Sequence, residues 1–253
     1  MDITLLGTGN AVAGKDRENT YLLVEHEEHA MMIDVGGNPL RRLKQFDVPQ
    51  AKIDAVFFTH FHIDHIFGLP SLLWGMWLEG RRKKLTIYCS KTDQKRLEQY
   101  LDVMQVKEWP IQFEIDIQTY DAGQREHISW SASTGLEVKT IPAIHSAPTA
   151  GLEFRLDGHV TVYSADTMIN EQIKQYEWID LLIHEATSAD EHLDNHSSLT
   201  EVVEAYNVKE KVGQLVLVHL DDEQPYEKTV EAMPAMIQQK CTIGYDGLQL
   251  RLR

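Results

Sequence analysis

The chain of 253 residues has only two cysteines, Cys89 and Cys241. They lie far apart and outside any C-x-x-C pair, which argues against a disulfide framework, a thiolate zinc site or a dithiol redox motif. Free thiols and a cytoplasmic location are expected, with Cys89 in the core because it follows the strand-like Leu85-Thr86-Ile87-Tyr88. No apolar run approaches the ~20 residues that cross a bilayer, so no membrane partner is expected. The first residues, Met1-Asp2-Ile3-Thr4-Leu5-Leu6-Gly7, have no basic segment and read as a strand rather than a signal peptide. Positive charge is also scarce: 24 Lys and Arg against 39 Asp and Glu give a net charge of −15. Proteins that grip a long nucleic acid present a basic face, so extended nucleic-acid binding is not expected here. The run Arg81-Arg82-Lys83-Lys84 reads as a solvated face. A small anionic substrate held by metal ions stays open, because the ions' own charge dominates such a site. With no linker, low-complexity tract or short-period repeat, residues 1–253 are expected to form a single domain.

What the chain does have is Thr59-His60-Phe61-His62-Ile63-Asp64-His65, directly after the apolar run Ala55-Val56-Phe57-Phe58. That run is too short and too rich in β-branched and aromatic residues for a helix, and reads as a buried strand. His60 and His62 stand two apart, so on an extended backbone they point to one side. Asp64 and His65 follow where the chain turns and approach the same space from another direction. Imidazole and carboxylate suit zinc, manganese or iron, and two ligand pairs with different approach vectors imply two ions. A His-rich surface loop is the competing reading, but the next turn signal after the strand is Gly68.

Further polar residues close strand-like segments. His145 follows a strand over 136–141, Asp166 a strand over 159–163, Glu185 a strand over 178–184, and His219 a strand over 214–218. Sites in α/β architectures gather where loops leave the carboxyl ends of strands. Asp34 ends a strand beside Gly36 and Gly37; it either orients a metal-binding histidine from behind or forms the turn. The glycines of Gly7-Thr8-Gly9 permit a tight turn, a weak signal by itself. Helices are expected over 39–46, over 69–79 with Gly80 just past its end, around Leu97 to Met104 with Ser90 or Thr92 as cap, from the Ser198/Glu201 capping box to Tyr206, and over 229–239 with a kink at Pro234. Asp157-Gly158 marks a hairpin, and residues 241–253 read as two strands about Asp246-Gly247. His26, His29, His159 and His192 are read as loop or turn residues, and His184 as packing.

This set of motifs, in this order, resembles the metallo-β-lactamase fold superfamily. The resemblance implies an α/β fold, a four-layer αβ/βα sandwich, with a dinuclear site at one edge of two sheets. It implies that His60, His62 and His145 hold one divalent ion, that Asp64, His65 and His219 hold the other, and that Asp166 bridges them. Leu5-Leu6-Gly7-Thr8-Gly9, His145-Ser146, Ser164-Ala165-Asp166-Thr167, His184-Glu185-Ala186-Thr187 and His196-Ser197-Ser198 resemble the ribonuclease Z branch. There the Glu and the later His act together near the scissile phosphate, which maps to Glu185 and His196. The phosphodiesterase of the carbon–phosphorus lyase pathway is similar in size and has a segment comparable to Asn195-His196. A homodimer is implied by the same resemblance. Two departures stand out: position 63 is Ile where that branch has Gly, and segment 120–145 is too short for a Gly/Pro-rich tRNA-gripping arm.

The function expected is that of a metal-dependent phosphodiesterase or nuclease acting on a small diester, a nucleotide or an RNA end. Two ions, zinc, manganese or iron, acidify a bridging water and clamp phosphoryl oxygens. Asp64 orients that water, and His196, held by Glu185, serves the leaving oxygen or the equatorial oxygens. A thioester, lactone or sulfate-ester hydrolase would use the same metals without needing Glu185 and His196. A non-enzymatic binding module would have no reason to keep every ligand.

Overall fold

Strands in the middle of this chain are apolar on both faces, and the two faces serve different cores. In the strand Ile53–Phe57, Ala55 and Phe57 point into one cluster of buried side chains while Ile53 and Val56 point into another. The same split separates Met31 and Ile33 from Ala30 and Met32. Strands covered on both sides read as continuous hydrophobic runs, as these do.

The structure, a computed structural model, describes residues 1–12, 14–130 and 135–251. The elements in chain order are β1 (Asp2–Gly7), β2 (Tyr21–His26), β3 (His29–Ile33), α1 (Pro39–Gln45), β4 (Ile53–Phe57), α2 (Ile63–Ile66), α3 (Leu69–Leu78), β5 (Leu85–Ser90), α4 (Gln94–Val103), β6 (Ile115–Tyr120), β7 (Glu137–Pro142), β8 (Ala150–Leu156), β9 (His159–Tyr163), α5 (Glu171–Lys174), β10 (Ile179–Glu185), α6 (Leu199–Ala205), α7 (Val208–Lys211), β11 (Val212–Val218), α8 (Tyr226–Glu231), α9 (Ala235–Lys240), β12 (Cys241–Ile243) and β13 (Gln249–Arg251). Two sheets result, in the orders β13-β1-β2-β3-β4-β5-β6 and β12-β11-β10-β9-β8-β7. In each, an antiparallel portion gives way to parallel strands: β3 to β6 in the first, β9 to β12 in the second. Side chains between the sheets form the central cluster, and helices cover each outer face: α1, α3 and α4 on the first sheet, α6 to α9 on the second. This is the four-layer αβ/βα sandwich expected.

The local signals act as read at several points. Gly80 (φ +76°) stands just past the end of α3, Ser198 and Glu201 complete a capping box on α6, and Asp157-Gly158 closes the β8–β9 hairpin with both φ positive. Others need correction. Pro234 does not kink one helix but separates α8 from α9, because its ring denies the helix a donor and blocks the preceding turn. Helix α4 begins after Asp93 with no side-chain cap; Ser90 Oγ instead receives Asp93 N and donates to its carboxylate. Arg81 is not on a solvated face: it is buried and donates to the carbonyls of Gln50, Ile53 and Lys84. His26 and His29 lie not in the turn but at the paired ends of β2 and β3, and His29 Nδ1 stands 2.8 Å from Asp54 Oδ2. Strands β12 and β13 do not pair with each other; β12 joins β11 and β13 joins β1. Residues 252 and 253 of the last expected strand, and 131–134 within segment 120–145, lie outside the described residues.

Candidate metal centre

Every candidate ligand sits where a strand of one sheet or the other ends. His60 and His62 leave β4, Asp64 and His65 occupy α2, His145 follows β7, Asp166 follows β9, and His219 follows β11. The structure gathers them into two groups whose ligand atoms lie within 4.8 Å of one another: His60, His62 and His145, and Asp64, His65, Asp166 and His219.

In the first group His60 Nε2 stands 3.0 Å, and His145 Nε2 3.2 Å, from His62 Nδ1. Their outer nitrogens are already committed. Thr59 Oγ1 gives its proton to Asp34, so it accepts from His60 Nδ1, and the Asn195 carbonyl accepts from His145 Nδ1 at 2.8 Å. Both Nε2 atoms therefore present lone pairs, and three nitrogens converge with at most one proton among them. Burial also pushes the pKa of His60, His62 and His145 down, keeping them neutral. Tetrahedral metal–nitrogen bonds of about 2.0–2.1 Å imply nitrogens about 3.3 Å apart, close to what is seen.

In the second group Asp166 Oδ2 lies 3.3 Å from both His65 Nε2 and His219 Nε2, and Asp64 Oδ2 lies 3.2 Å from His65 Nε2 and 3.6 Å from His219 Nε2. The same Asp166 oxygen is 3.8 Å from His60 Nε2 and 4.0 Å from His145 Nε2, so it faces both groups. His65 Nε2 and His219 Nε2 are buried and make no hydrogen bond. Orphaned buried nitrogens beside carboxylates are what a cation site requires. Burial alone would raise the Asp64 and Asp166 carboxyls; the surrounding imidazoles, His219 and His65 foremost, outweigh it and hold both low. The residues present fit a pair of divalent ions.

Asp34 lies behind His65, and its carboxylate bonds Thr59 and His65 rather than a turn of its own. It is fully buried at φ +61° and accepts from Thr59 N, Thr59 Oγ1 and His65 Nδ1, each at 2.8 Å. Burial pushes its carboxyl up, and His65 opposes the rise. Three more residues with positive φ surround the centre: Ala165, Asn195 and His219. Such backbone persists in residues other than glycine only where the surroundings enforce it, and it clusters at functional sites. A close approach at Gly36 belongs to the same packing, since a Cβ there would stand 1.8 Å from the Asp64 carbonyl oxygen.

Beside the ligands lies a second constellation. Glu185, fully buried at the end of β10, accepts from His196 Nδ1 at 2.9 Å and from Thr167 N at 3.0 Å through Oε1. Its Oε2 accepts from Thr187 N and Thr187 Oγ1. Burial lowers the His196 pKa, but the hydrogen bond and charge of Glu185 more than compensate, so it is raised overall. His196 packs against His145 and stacks on His219, at centroid distances of 5.0 and 5.1 Å. His184 points away and bonds the Glu185 carbonyl and Tyr206, His192 pairs with Glu201, and His26, His127 and His159 lie elsewhere. Sequence reasoning missed Thr59, Thr187 and the Asn195 carbonyl. Only the Thr that closes His-Glu-Ala-Thr carried any signal, because hydroxyl and backbone acceptors leave no spacing pattern.

A cavity of about 520 Å³ opens next to these loops, lined among others by Lys15, Asp16, Arg17, Glu18, Arg41 and Arg42. Arg17 pairs with Asp222 and Arg42 with Asp246, whereas Lys15 and Arg41 make no ion pair among the described residues.

A family model described as anti-Pycsar protein Apyc1 matches residues 1–243. The chain belongs to the Apyc1 family. Its fold is that of the metallo-β-lactamase fold proteins, and its sequence is similar to ribonucleases Z. A ribonuclease Z of Methanococcus maripaludis is 32% identical over 155 residues, covering 61% of this chain and 49% of that protein. The chain thus spans about half the length of the Methanococcus relatives it matches. A ribonuclease Z of Thermococcus sibiricus is 26% identical, covering 100% of this chain and 96% of that protein. Among solved structures, the metallo-β-lactamase fold protein YhfI from Bacillus subtilis superposes with a TM-score of 0.77 at 20% identity, covering 98% of each chain.

Proposed function

We propose that this Apyc1 family member is a dinuclear metal-dependent phosphodiesterase, with residues 1–253 as one hydrolase domain. A small diester, a nucleotide or an RNA end would be its substrate. The observation that carries the reading is the Glu185–His196 pair, 2.9 Å apart, set against the metal ligands. A diester's alkoxide leaving group needs a proton or a charge partner, which a thiolate leaving group does not. His60, His62 and His145 would hold one ion, Asp64, His65 and His219 the other, with Asp166 between them. Three imidazoles around one position favour zinc, while manganese and iron suit the same donors. Two such ions supply an acidified water and neutralise charge on the phosphoryl oxygens.

The chain's own residues do the rest. Asp64, kept ionised by His219 and His65, orients the attacking water. Glu185 accepts the Nδ1–H hydrogen bond of His196 and raises its basicity, leaving the Nε2 proton for the leaving oxygen or an equatorial phosphoryl oxygen. The net charge of −15 disfavours a long anionic substrate, and Lys15 and Arg41 line the nearby cavity without an ion pair among the described residues. We take the protein to be a cytoplasmic homodimer. Supporting a dimer is an apolar groove along α3 that includes Phe67, Trp74, Leu78 and Met104, with Trp74 and Leu78 43% and 63% exposed. Among the described residues no helix is long and apolar enough to cross a membrane.

Metal content by elemental analysis, with hydrolysis of bis(p-nitrophenyl) phosphate beside a thioester and a lactone, tests the reading. Two ions per chain, a dominant diester rate, and a His196→Ala variant that keeps metal while losing about 10²- to 10³-fold in kcat are expected. A dominant thioester or lactone rate, or an unchanged kcat in the variant, would overturn it. Cyclic nucleotides and tRNA precursors as competing substrates then separate a small diester from an RNA end.

A further inference from the structure

The hydrogen bonds around Thr187 fix more than one proton. Its hydroxyl lies 2.9 Å from Glu185 Oε2 and 2.8 Å from His219 Nδ1. A hydroxyl has one proton to give. Glu185 Oε2, a buried carboxylate oxygen, only accepts, so the Thr187 proton goes there. The contact to His219 must then run the other way, with Nδ1–H donating to Thr187 Oγ1. That places the proton of His219 on Nδ1 and leaves the lone pair on Nε2, which is the buried nitrogen without a hydrogen bond that faces Asp64 and Asp166. The other oxygen of the same carboxylate holds His196 at 2.9 Å.

We propose that Thr187 is a positioning residue through which the Glu185 carboxylate, besides holding His196, also sets the tautomer and ring orientation of the metal-binding His219. The inference rests on the metal reading given above. A single buried charge then serves two imidazoles, one by direct contact and one through a hydroxyl. The geometry has a chemical reason. A carboxylate in direct contact with His219 would add negative charge next to Asp64 and Asp166, whereas a hydroxyl passes on the orientation with only a dipole. Hydrogen-bond partners of this kind typically change metal affinity 10- to 100-fold when removed.

Zn²⁺ affinity of the whole chain, measured by competition with a chromophoric chelator, tests this without any substrate. Thr187→Val keeps the shape and removes the hydroxyl; one of the two ions should bind 10- to 100-fold more weakly. Thr187→Ser restores the hydroxyl and should bind both ions within about threefold of the wild type, an expectation from the same relation. His196→Ala, which leaves Thr187 in place, should bind both ions as the wild type does. Adding Glu185→Gln to Thr187→Val should cause no further loss, although Glu185→Gln alone weakens the same ion. Wild-type affinity in Thr187→Val overturns the relay. So does a serine variant as weak as the valine one, since packing rather than the hydroxyl would then be at work. A wild-type protein that takes up no Zn²⁺ overturns the metal reading and this inference with it.

Discussion

Replacing Asp34 by Asn separates metal affinity from folding. In the native protein the Asp34 oxygens receive three donors at 2.8 Å, two from Thr59 and one from His65 Nδ1. Asn tolerates the φ of +61° at this position, and its carbonyl can keep Thr59 N. Its amide nitrogen then replaces Oδ2 and turns a donor towards His65 Nδ1–H. A buried donor left without an acceptor costs about 1–3 kcal/mol. In the metal-free protein His65 lowers that cost by carrying its proton on Nε2, 3.2 Å from Asp64 Oδ2 and 3.3 Å from Asp166 Oδ2. A metal ion forbids this, because it needs the Nε2 lone pair. The full penalty therefore falls on binding, and 1–3 kcal/mol corresponds to about 5- to 150-fold weaker affinity. Thermal unfolding of the metal-free protein should move by no more than about 2–4 °C, the shift that 1 kcal/mol causes in a chain of this size. Chelator competition and calorimetry on the same preparations measure both quantities. Wild-type metal affinity in Asp34→Asn would refute the reasoning, as would metal loss only in step with a collapse of the metal-free fold.

Asp166→Ala removes the oxygen that faces both ligand groups and should abolish dinuclear occupancy by elemental analysis; two tightly held ions in that variant would contradict the ligand set. Glu153 is held low, at about 2, because hydrogen bonds from Arg155, Tyr176 and Arg125 outweigh its burial. Its folded pKa is thus below the ordinary 4.5, so its contribution is complete above about pH 4.5 and vanishes as the pH falls towards 2. That contribution is about 3 kcal/mol, and urea midpoints at pH 6 and pH 3 should differ less in Glu153→Gln than in the wild type. Trp74→Glu places a charge in the apolar groove on α3 and should shift a dimer to monomers by light scattering; an unchanged mass would move the interface elsewhere.

Much of the site was legible because its chemistry is written locally. His60, His62, Asp64 and His65 fall within six residues after one strand, and a strand followed by a turn is enough to aim them. His145, Asp166 and His219 were legible for a related reason, as each ends an apolar run. What escaped was everything settled by pairing between distant strands. Thr187 reaches His219 only because β10 and β11 run parallel with Glu185 beside Val218. The Asn195 carbonyl reaches His145 across fifty positions of sequence. Arg81 lay within a run of cations, and nothing in that run marks which side chain has carbonyl partners waiting at Gln50 and Ile53. The two strands about Asp246-Gly247 were visible as strands, but the sheet each would join depended on edges that the rest of the chain had left open.

The return of β13 to β1 bears on the order in which the protein is made. Asp246, just before that strand, accepts from Thr8 Oγ1 at 2.8 Å and from Glu18 N at 2.9 Å, and it also holds Arg42. These contacts fix the loops that follow β1 and open β2. The same loops reach the metal centre, where Thr20 Oγ1 receives His219 N and the Thr8 carbonyl receives Leu220 N. Strands β1 to β6 can pair as they leave the ribosome, but the loop that steadies His219 gains its contacts to Asp246 only once residue 246 has been translated and has folded back. All seven candidate ligands are thus synthesised before the residue that locks the loop behind one of them, and a nascent chain can hold the full ligand set while still lacking a finished site.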